Sequence, residues 1–232
     1  MPAATPLRLA RRLTTLLCAA ACLAVAFAVV GAHRADAYSF NVGVTDSPHG
    51  QPVSSNFVGV ALEFGEIPTL ATPQSVNPVF AALLKGLSPA GRPNVRIGGQ
   101  STDRVWWPVR GMARPLGVTY DLTSRWTAAA HAIAQATGAQ YLLGINLEAN
   151  RTRISQVEAD QLVRAIGAKN IDALEIGNEP QLYTGVPWYR RQGDRVLPWY
   201  SQTGSPVYAR PPSYNPEDFV GEVSRTLKVV PT

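Results

Sequence analysis

Two adjacent polar residues, Asn178 and Glu179, are the part of this sequence best suited to chemistry. They follow the run Ile171–Ile176 and precede Pro180. The run has the length and composition of a buried strand, and the proline favours an extended backbone at Glu179. A carboxylate at the carboxyl end of a parallel strand lies where α/β barrels hold their catalytic groups. The alternative interpretation is a surface loop with an incidental acid.

Carboxylates are the only side chains of this sequence whose pattern supports catalysis. The three histidines, His33, His49 and His131, are scattered along the chain. The sequence contains no metal-binding spacing, no serine-nucleophile motif and no complete glycine-rich phosphate loop. We therefore expect no metal and no cofactor.

Glu175 and Glu179 lie on the same face of the predicted strand. Four residues of strand separate their Cα atoms by about 13 Å. The paired carboxylates of glycosidases are about 5 Å apart in retaining enzymes and about 6.5–9.5 Å apart in inverting ones. We therefore do not expect these two residues to be a catalytic pair. Buried acids are usually paired with a cation, so we expect Glu175 to pair with Arg96.

The elements that must position these residues alternate between strands and helices. Three strands are predicted at 57–64, 94–99 and 141–147, and a fourth leads to Asn178 and Glu179; helices are predicted at 76–87, 123–137, 155–166 and from Asn215 to the end of the chain. The third of these helices has a capping-box start, Ser155 with Glu158. This alternation predicts parallel βαβ units. The predicted fold class is therefore α/β, with about four βα units that form the first half of a (β/α)8 TIM barrel, truncated.

Residues 1–37 have the pattern of a signal peptide. Three arginines precede an apolar segment at 13–30, and Ala35-Asp36-Ala37 fits a small-residue cleavage site. We therefore predict a secreted, extracellular protein in which residues 38–232 form one domain, the N-terminal half of a TIM-barrel glycosidase domain. An uncleaved segment that anchors the protein in a membrane is the alternative.

Composition argues against two classes of partner. The formal net charge is +5, but four arginines belong to the predicted signal peptide, and no basic run is interleaved with aromatic residues. We therefore expect no nucleic-acid partner. Cys18 and Cys22 also lie in that segment, so the mature chain would contain no disulfide. No stable membrane partner is expected after cleavage.

Three segments resemble glycoside hydrolase family 79, the heparanase and β-glucuronidase family. The three segments are residues 60–64, 86–103 and 175–180. The second segment contains the motifs Leu87-Ser88-Pro89 and Arg96-Ile97-Gly98-Gly99. The segments occur in the order of the family's first, second and fourth strands. The resemblance covers the N-terminal half of the family's catalytic barrel.

The resemblance implies a retaining glycoside hydrolase with Glu179 as the general acid/base. Asn178 would hydrogen-bond the sugar 2-hydroxyl, and this contact strengthens in the transition state. Glu63 and Gln100 match positions that line the subsite of the cleaved sugar, and Arg96 would orient the nucleophile. The implied substrate is a glucuronide or a glycan that contains uronic acid.

Further expectations follow from the same resemblance. Tyr183 and Trp188 are candidates for a wall on which a sugar stacks. The family's nucleophile belongs to a later strand than those predicted here, so we expect an incomplete barrel with open strand edges that shows no glycosidase activity alone. The alternative is a non-catalytic carbohydrate-binding or structural remnant.

Overall fold

The computed structural model describes residues 42–43, 50–52, 54, 57–89, 91–193 and 195–231. Contacts divide the chain after Gln51, and the fold given below is that of Pro52–Thr232. The predicted signal peptide lies outside the described residues and stays a prediction. Within those residues, no helix has the length and apolar character needed to cross a bilayer.

Ten strands and five α-helices make up the described fold. The strands are β1 (Gly59–Leu62), β2 (Ala71–Thr72), β3 (Ser75–Val76), β4 (Asn94–Ile97), β5 (Val105–Trp106), β6 (Tyr120–Asp121), β7 (Gln140–Ile145), β8 (Ile171–Ile176), β9 (Tyr189–Gln192) and β10 (Arg195–Pro198). The helices are α1 (Ile67–Leu70), α2 (Pro78–Leu87), α3 (Ser124–Thr137), α4 (Thr152–Ile166) and α5 (Pro216–Leu227). Short 3-10 helices occupy Phe64–Glu66, Gly99–Arg104, Ala168–Asn170 and Pro180–Leu182.

A four-stranded parallel sheet in the order β1-β4-β7-β8 positions the candidate site. Its register places Leu62 beside Ile97, Ile97 beside Leu143, and Leu143 beside Leu174. The helices α2, α3 and α4 lie in the crossovers between successive strands of this sheet. The sheet order confirms the predicted α/β class and is consistent with part of an α/β barrel.

Helix α3 shows how local sequence signals and the core agree. The Thr123 side chain accepts a hydrogen bond from the Trp126 N–H, and Gly138 ends the helix with a φ of 74°. The helix ends where predicted, because glycine adopts the left-handed conformation without strain, and it begins one residue later than predicted, because Thr123 is its N-cap. The Trp126 ring stacks on Phe64 with centroids 5.3 Å apart, and its indole N–H donates to the Phe64 carbonyl over 2.7 Å.

Helix α4 begins three residues earlier than predicted, and the expected capping box is wrong. Its N-cap is Arg151, which makes no side-chain cap bond. Ser155 is buried instead, and its hydroxyl donates to the Asn146 carbonyl at the end of β7 over 2.7 Å. Glu158 is fully buried. Tertiary contacts with the strand layer therefore take the place of the local cap.

Candidate functional site

A strained turn after β8 places Asn178 and Glu179 at the carboxyl end of the sheet. Gly177 has a φ of 72°, and a Cβ at this position would lie 2.8 Å from the Tyr183 hydroxyl, so only glycine fits. Glu179 also has a left-handed backbone, with a φ of 46° and a ψ of 57°. The extended backbone predicted for Glu179 from Pro180 is therefore wrong. Non-glycine residues in this region concentrate at functional sites.

Asp103 is the residue that holds this turn to the end of β7. It is 4 % exposed. Its Oδ1 accepts from the Leu147 and Glu148 N–H groups at 2.9 and 3.1 Å, and its Oδ2 accepts from the Asn178 N–H and the Tyr183 hydroxyl at 2.9 and 2.8 Å. Burial raises the pKa of Asp103, and these hydrogen bonds oppose that increase. One carboxylate thus fixes two loops of the site.

The predicted pairing of Glu175 with Arg96 is present. The guanidinium of Arg96 donates to both carboxylate oxygens of Glu175 over 2.6 Å each. This fork-to-fork arrangement is the strong geometry for such a pair. A third bond runs from Arg96 Nη2 to Asn178 Oδ1 at 3.3 Å. Arg96 therefore orients the Asn178 side chain, while Asp103 holds the Asn178 backbone.

Glu63 follows β1 and is tied to the loop after β4. Its Oε2 accepts from the Ser101 N–H over 2.8 Å, and the Ser101 hydroxyl accepts from the Phe64 N–H over 2.9 Å. A Cβ at Gly99, where φ is 73°, would lie 2.4 Å from Glu63 Oε1. The Glu63 carboxylate therefore positions the segment that presents Gln100. Gln100 is exposed and accepts from Arg104 over 3.2 Å.

A pocket of about 110 Å³ brings part of this set together. It contains two of the four predicted substrate-binding residues, Asn178 and Gln100, together with the predicted catalytic residue Glu179. Arg96 and Glu63 lie outside its lining and act on it through Asn178 and the Ser101 loop. The full lining is Gln100, Asp103, Arg104, Glu148, Asn178, Glu179, Leu182, Tyr183, Val186, Pro187 and Tyr189. The volume is below the roughly 300–1,000 Å³ of sites for drug-sized ligands, so it suits a small group.

Glu148 is a lining residue that the sequence analysis did not select. It is half-buried and lies three residues after the end of β7. Burial, together with the charge of Asp103, raises the pKa of Glu148 to about 8. Glu148 and Glu179 both follow the carboxyl end of a strand of the sheet, which is the sequence signal that selected Glu179 as a candidate catalytic residue.

The predicted stacking wall has a different composition in the structure. Tyr183 is 3 % exposed, and the Arg210 guanidinium lies 5.2 Å from its ring centroid. Trp188 packs directly against the backbone of Gly117 and does not line the pocket. Tyr183 and Tyr189 are the aromatic residues of the pocket lining, and the guanidinium of Arg104 lies 3.6 Å from the Tyr189 ring centroid. The sequence order contained no signal that separates Tyr189 from its aromatic neighbours.

Arg210 supports the site from the segment before α5. It is 5 % exposed and forms a two-bond pair with Glu222 at 2.8 and 2.9 Å. Its Nη atoms also donate to the carbonyls of Leu147 and Glu148 at 3.0 and 2.8 Å. The segment that carries Glu148 is thus held by Asp103 at its N–H groups and by Arg210 at its carbonyls. Within the described residues, no cluster of His, Cys, Asp or Glu side chains could hold a metal ion.

Among the comparisons with known proteins, the comparison with solved structures is the one that finds a similarity. No protein-family model matches the sequence. No curated protein matches it either. Among solved structures, the chain is similar to a 4-O-α-L-rhamnosyl-β-D-glucuronidase from Fusarium oxysporum 12S in complex with Rha-GlcA, with a TM-score of 0.42 and 24 % identity. The similarity covers 57 % of this chain and 30 % of that chain. The chain thus spans less than a third of the length of that glucuronidase.

Proposed function

We propose that this chain carries the acid/base side of a retaining glycoside hydrolase site of the β-glucuronidase type. The observation that carries the proposal is the conformation of Glu179, an exposed carboxylate held at a left-handed backbone position inside a pocket. Backbone strain of about 1–3 kcal/mol persists only where the surrounding structure imposes it. Here Asp103 and Arg96 impose it through Asn178. Membership of glycoside hydrolase family 79 is part of this proposal.

The roles within the site follow from the geometry. Glu179 protonates the glycosidic oxygen as the leaving group departs and later accepts a proton from water. The Asn178 amide donates to Glu179 Oε2 over 3.2 Å, so it lies beside the reacting group and is placed to contact a sugar hydroxyl. Gln100, Arg104 and Tyr189 also line the pocket, with the Arg104 guanidinium stacked on the Tyr189 ring. The substrate class is a glucuronide or a glycan that contains uronic acid.

The pocket does not offer an ionised carboxylate that could serve as the nucleophile. Its acidic lining residues are Asp103, Glu148 and Glu179. The oxygens of Asp103 are occupied by four donors. The pKa of Glu148 is raised to about 8, so its carboxyl group keeps its proton at neutral pH. We therefore expect no turnover of aryl β-glucuronides by this chain alone.

A substrate that bypasses the nucleophile tests the proposal. α-D-Glucuronyl fluoride mimics the covalent glycosyl-enzyme intermediate, because its fluoride is attached to C1 on the face that the nucleophile would occupy and leaves from that face. Glu179 then removes a proton from water, which attacks C1 from the opposite face and gives glucuronic acid and fluoride. We expect fluoride release by the wild type and a loss of about 10²–10⁴-fold in Glu179→Gln, the typical contribution of general acid–base catalysis.

The control variant is Glu217→Gln, which removes an exposed acid on α5 that is not part of the pocket lining. It should release fluoride at the wild-type rate. Equal rates in the wild type and Glu179→Gln would exclude Glu179 as the base. Binding of glucuronate without fluoride release would instead favour a non-catalytic carbohydrate-binding module.

A further inference from the structure

Glu148 is fixed in the pocket by contacts that do not involve its carboxyl group. Its N–H donates to Asp103 Oδ1 at 3.1 Å, and its carbonyl accepts from Arg210 Nη1 at 2.8 Å. Both backbone polar groups are therefore bound, which holds the residue at the pocket. The side chain lines this pocket together with Asn178 and Glu179.

The surroundings of Glu148 favour the protonated carboxyl group. Burial is the largest cause, and the nearby charge of Asp103 adds to it, which raises the pKa of Glu148 to about 8. The cations Arg210 and Arg104 and the indole N–H of Trp188 oppose this increase. The other titratable groups of the pocket lining are Glu179, Tyr183 and Tyr189. At neutral pH, Glu148 therefore has an O–H group that can donate a hydrogen bond.

The indole N–H of Trp188 approaches the Glu148 carboxyl group from outside the pocket lining. Trp188 Nε1 is buried, and its N–H acts on Glu148 as a hydrogen-bond donor that favours the ionised carboxylate. Trp188 does not line the pocket, whereas Glu148 lines it together with Asn178 and Glu179. The Glu148 carboxyl group is therefore the one of these two groups that can contact a ligand in the pocket.

We propose that Glu148 contacts the bound sugar as a neutral carboxylic acid that donates a hydrogen bond to a carboxylate oxygen of a uronic acid. This inference rests on the proposed function in its choice of ligand. An O–H···O⁻ hydrogen bond is short and strong because one partner is ionised. Ionised Glu148 loses the donor and repels the uronate, so the affinity falls when the proton leaves. A neutral sugar lacks this repulsion and responds less to pH.

The test measures the affinity of the full chain for D-glucuronate and for methyl β-D-glucoside by isothermal titration calorimetry from pH 6.5 to pH 9. For the wild type, we expect glucuronate to bind about tenfold more weakly at pH 9 than at pH 7, because affinity falls tenfold for each pH unit above the pKa. Glu148→Gln keeps the shape and a donor but does not titrate, so its affinity should not change with pH. Glu179→Gln removes a different carboxylate of the same pocket and should keep the alkaline loss.

A direct titration keeps the inference testable if Glu148→Gln folds poorly. The ¹³C carboxyl signal of Glu148 should titrate near pH 8 in the free protein, and saturating glucuronate should raise that pKa, since the ligand binds the protonated form. Three results would overturn the inference: no glucuronate binding at pH 6.5, a pH-independent affinity, or an alkaline loss that persists in Glu148→Gln. If the affinity profile holds while fluoride release does not depend on Glu179, the proposed hydrolase function fails and the role of Glu148 stands.

Discussion

Glu158 makes the stability of this protein depend on pH in a predictable direction. It lies on α4 with an exposed fraction of 0 %, where the Asn146 N–H favours its ionised form and the charge of Asp103 opposes it. Burial raises the pKa of Glu158 well above the ordinary value of 4.5. In the unfolded chain the group ionises at its ordinary pKa. The folded state therefore binds a proton that the unfolded state releases.

The sign and size of the effect follow from proton linkage. Stability is greatest below the unfolded pKa and falls as the pH rises from there towards the raised folded pKa. Each pH unit within that window lowers the free energy of unfolding by about 1.4 kcal/mol. For a domain of this size, about 1 kcal/mol corresponds to about 2–4 °C in Tm. Glu158→Gln removes the ionisation and keeps the shape, so its stability should exceed that of the wild type at neutral pH.

The assay is urea denaturation of the wild type and Glu158→Gln at pH 4.5, 5.5, 6.5 and 7.5, followed by tryptophan fluorescence. We expect the difference between the two proteins to grow with pH, with Glu158→Gln the more stable at pH 7.5. Asp160→Asn is the matched control, because it removes a half-buried acid from the same helix. Parallel stability profiles for the wild type and Glu158→Gln would refute the reasoning, because they would show that burial does not perturb this carboxyl group.

Three further substitutions test other features of the fold. Gly144→Ala should lower the free energy of unfolding by about 1–3 kcal/mol, because its Cβ would lie 2.3 Å from Thr102 Oγ1. In the control Gly86→Ala, the added Cβ meets nothing within 4 Å, so this variant should be neutral or stabilising in thermal denaturation. Glu179→Gly should be more stable than Glu179→Ala by about 1 kcal/mol in urea, because only glycine adopts its φ of 46° without strain; equal stabilities would contradict that strain. Asp103→Asn should lower the free energy of unfolding by about 2 kcal/mol or more, because the NH2 group of asparagine would face buried N–H or O–H donors that the carboxylate accepts from. Wild-type stability in a chemical denaturation series would contradict this.

The sequence predicted the alternation of strands and helices and one contact of the site. Apolar runs with glycine or proline at their ends are local signals, and they suffice for the four parallel strands. The pairing of Arg96 with Glu175 was also predictable, because an acid and a cation on strands of one sheet can reach each other, although the two side chains are 33 % and 34 % exposed and not buried as the prediction assumed. These inferences depend on residue type and spacing alone.

The parts that could not be predicted depend on tertiary contacts. The local preference of a residue before proline is overcome at Glu179, because Asp103 fixes the preceding N–H and the Glu179 carbonyl accepts from the Leu182 N–H over 2.8 Å. Ser155 has the pattern of a helix cap but is buried against β7. Glu148 has the same position after a strand as the acidic residue of the proposed site, so its selection was possible from the sequence. Its protonation state was not, because it depends on burial beside Asp103.

The four hydrogen bonds of Asp103 also bear on how the chain reaches its folded state. Their partners lie 44, 45, 75 and 80 residues further along the chain. Contacts of such long sequence separation require large loops to close, and they slow folding relative to local contacts. The bonds to Leu147 and Glu148 require the segment after β7 to be in place, and those to Asn178 and Tyr183 also require β8 and the turn at Glu179. We therefore expect the pocket to form late in folding, so that a chain in which the strands have paired but Asp103 is still unbound has the sheet without the site.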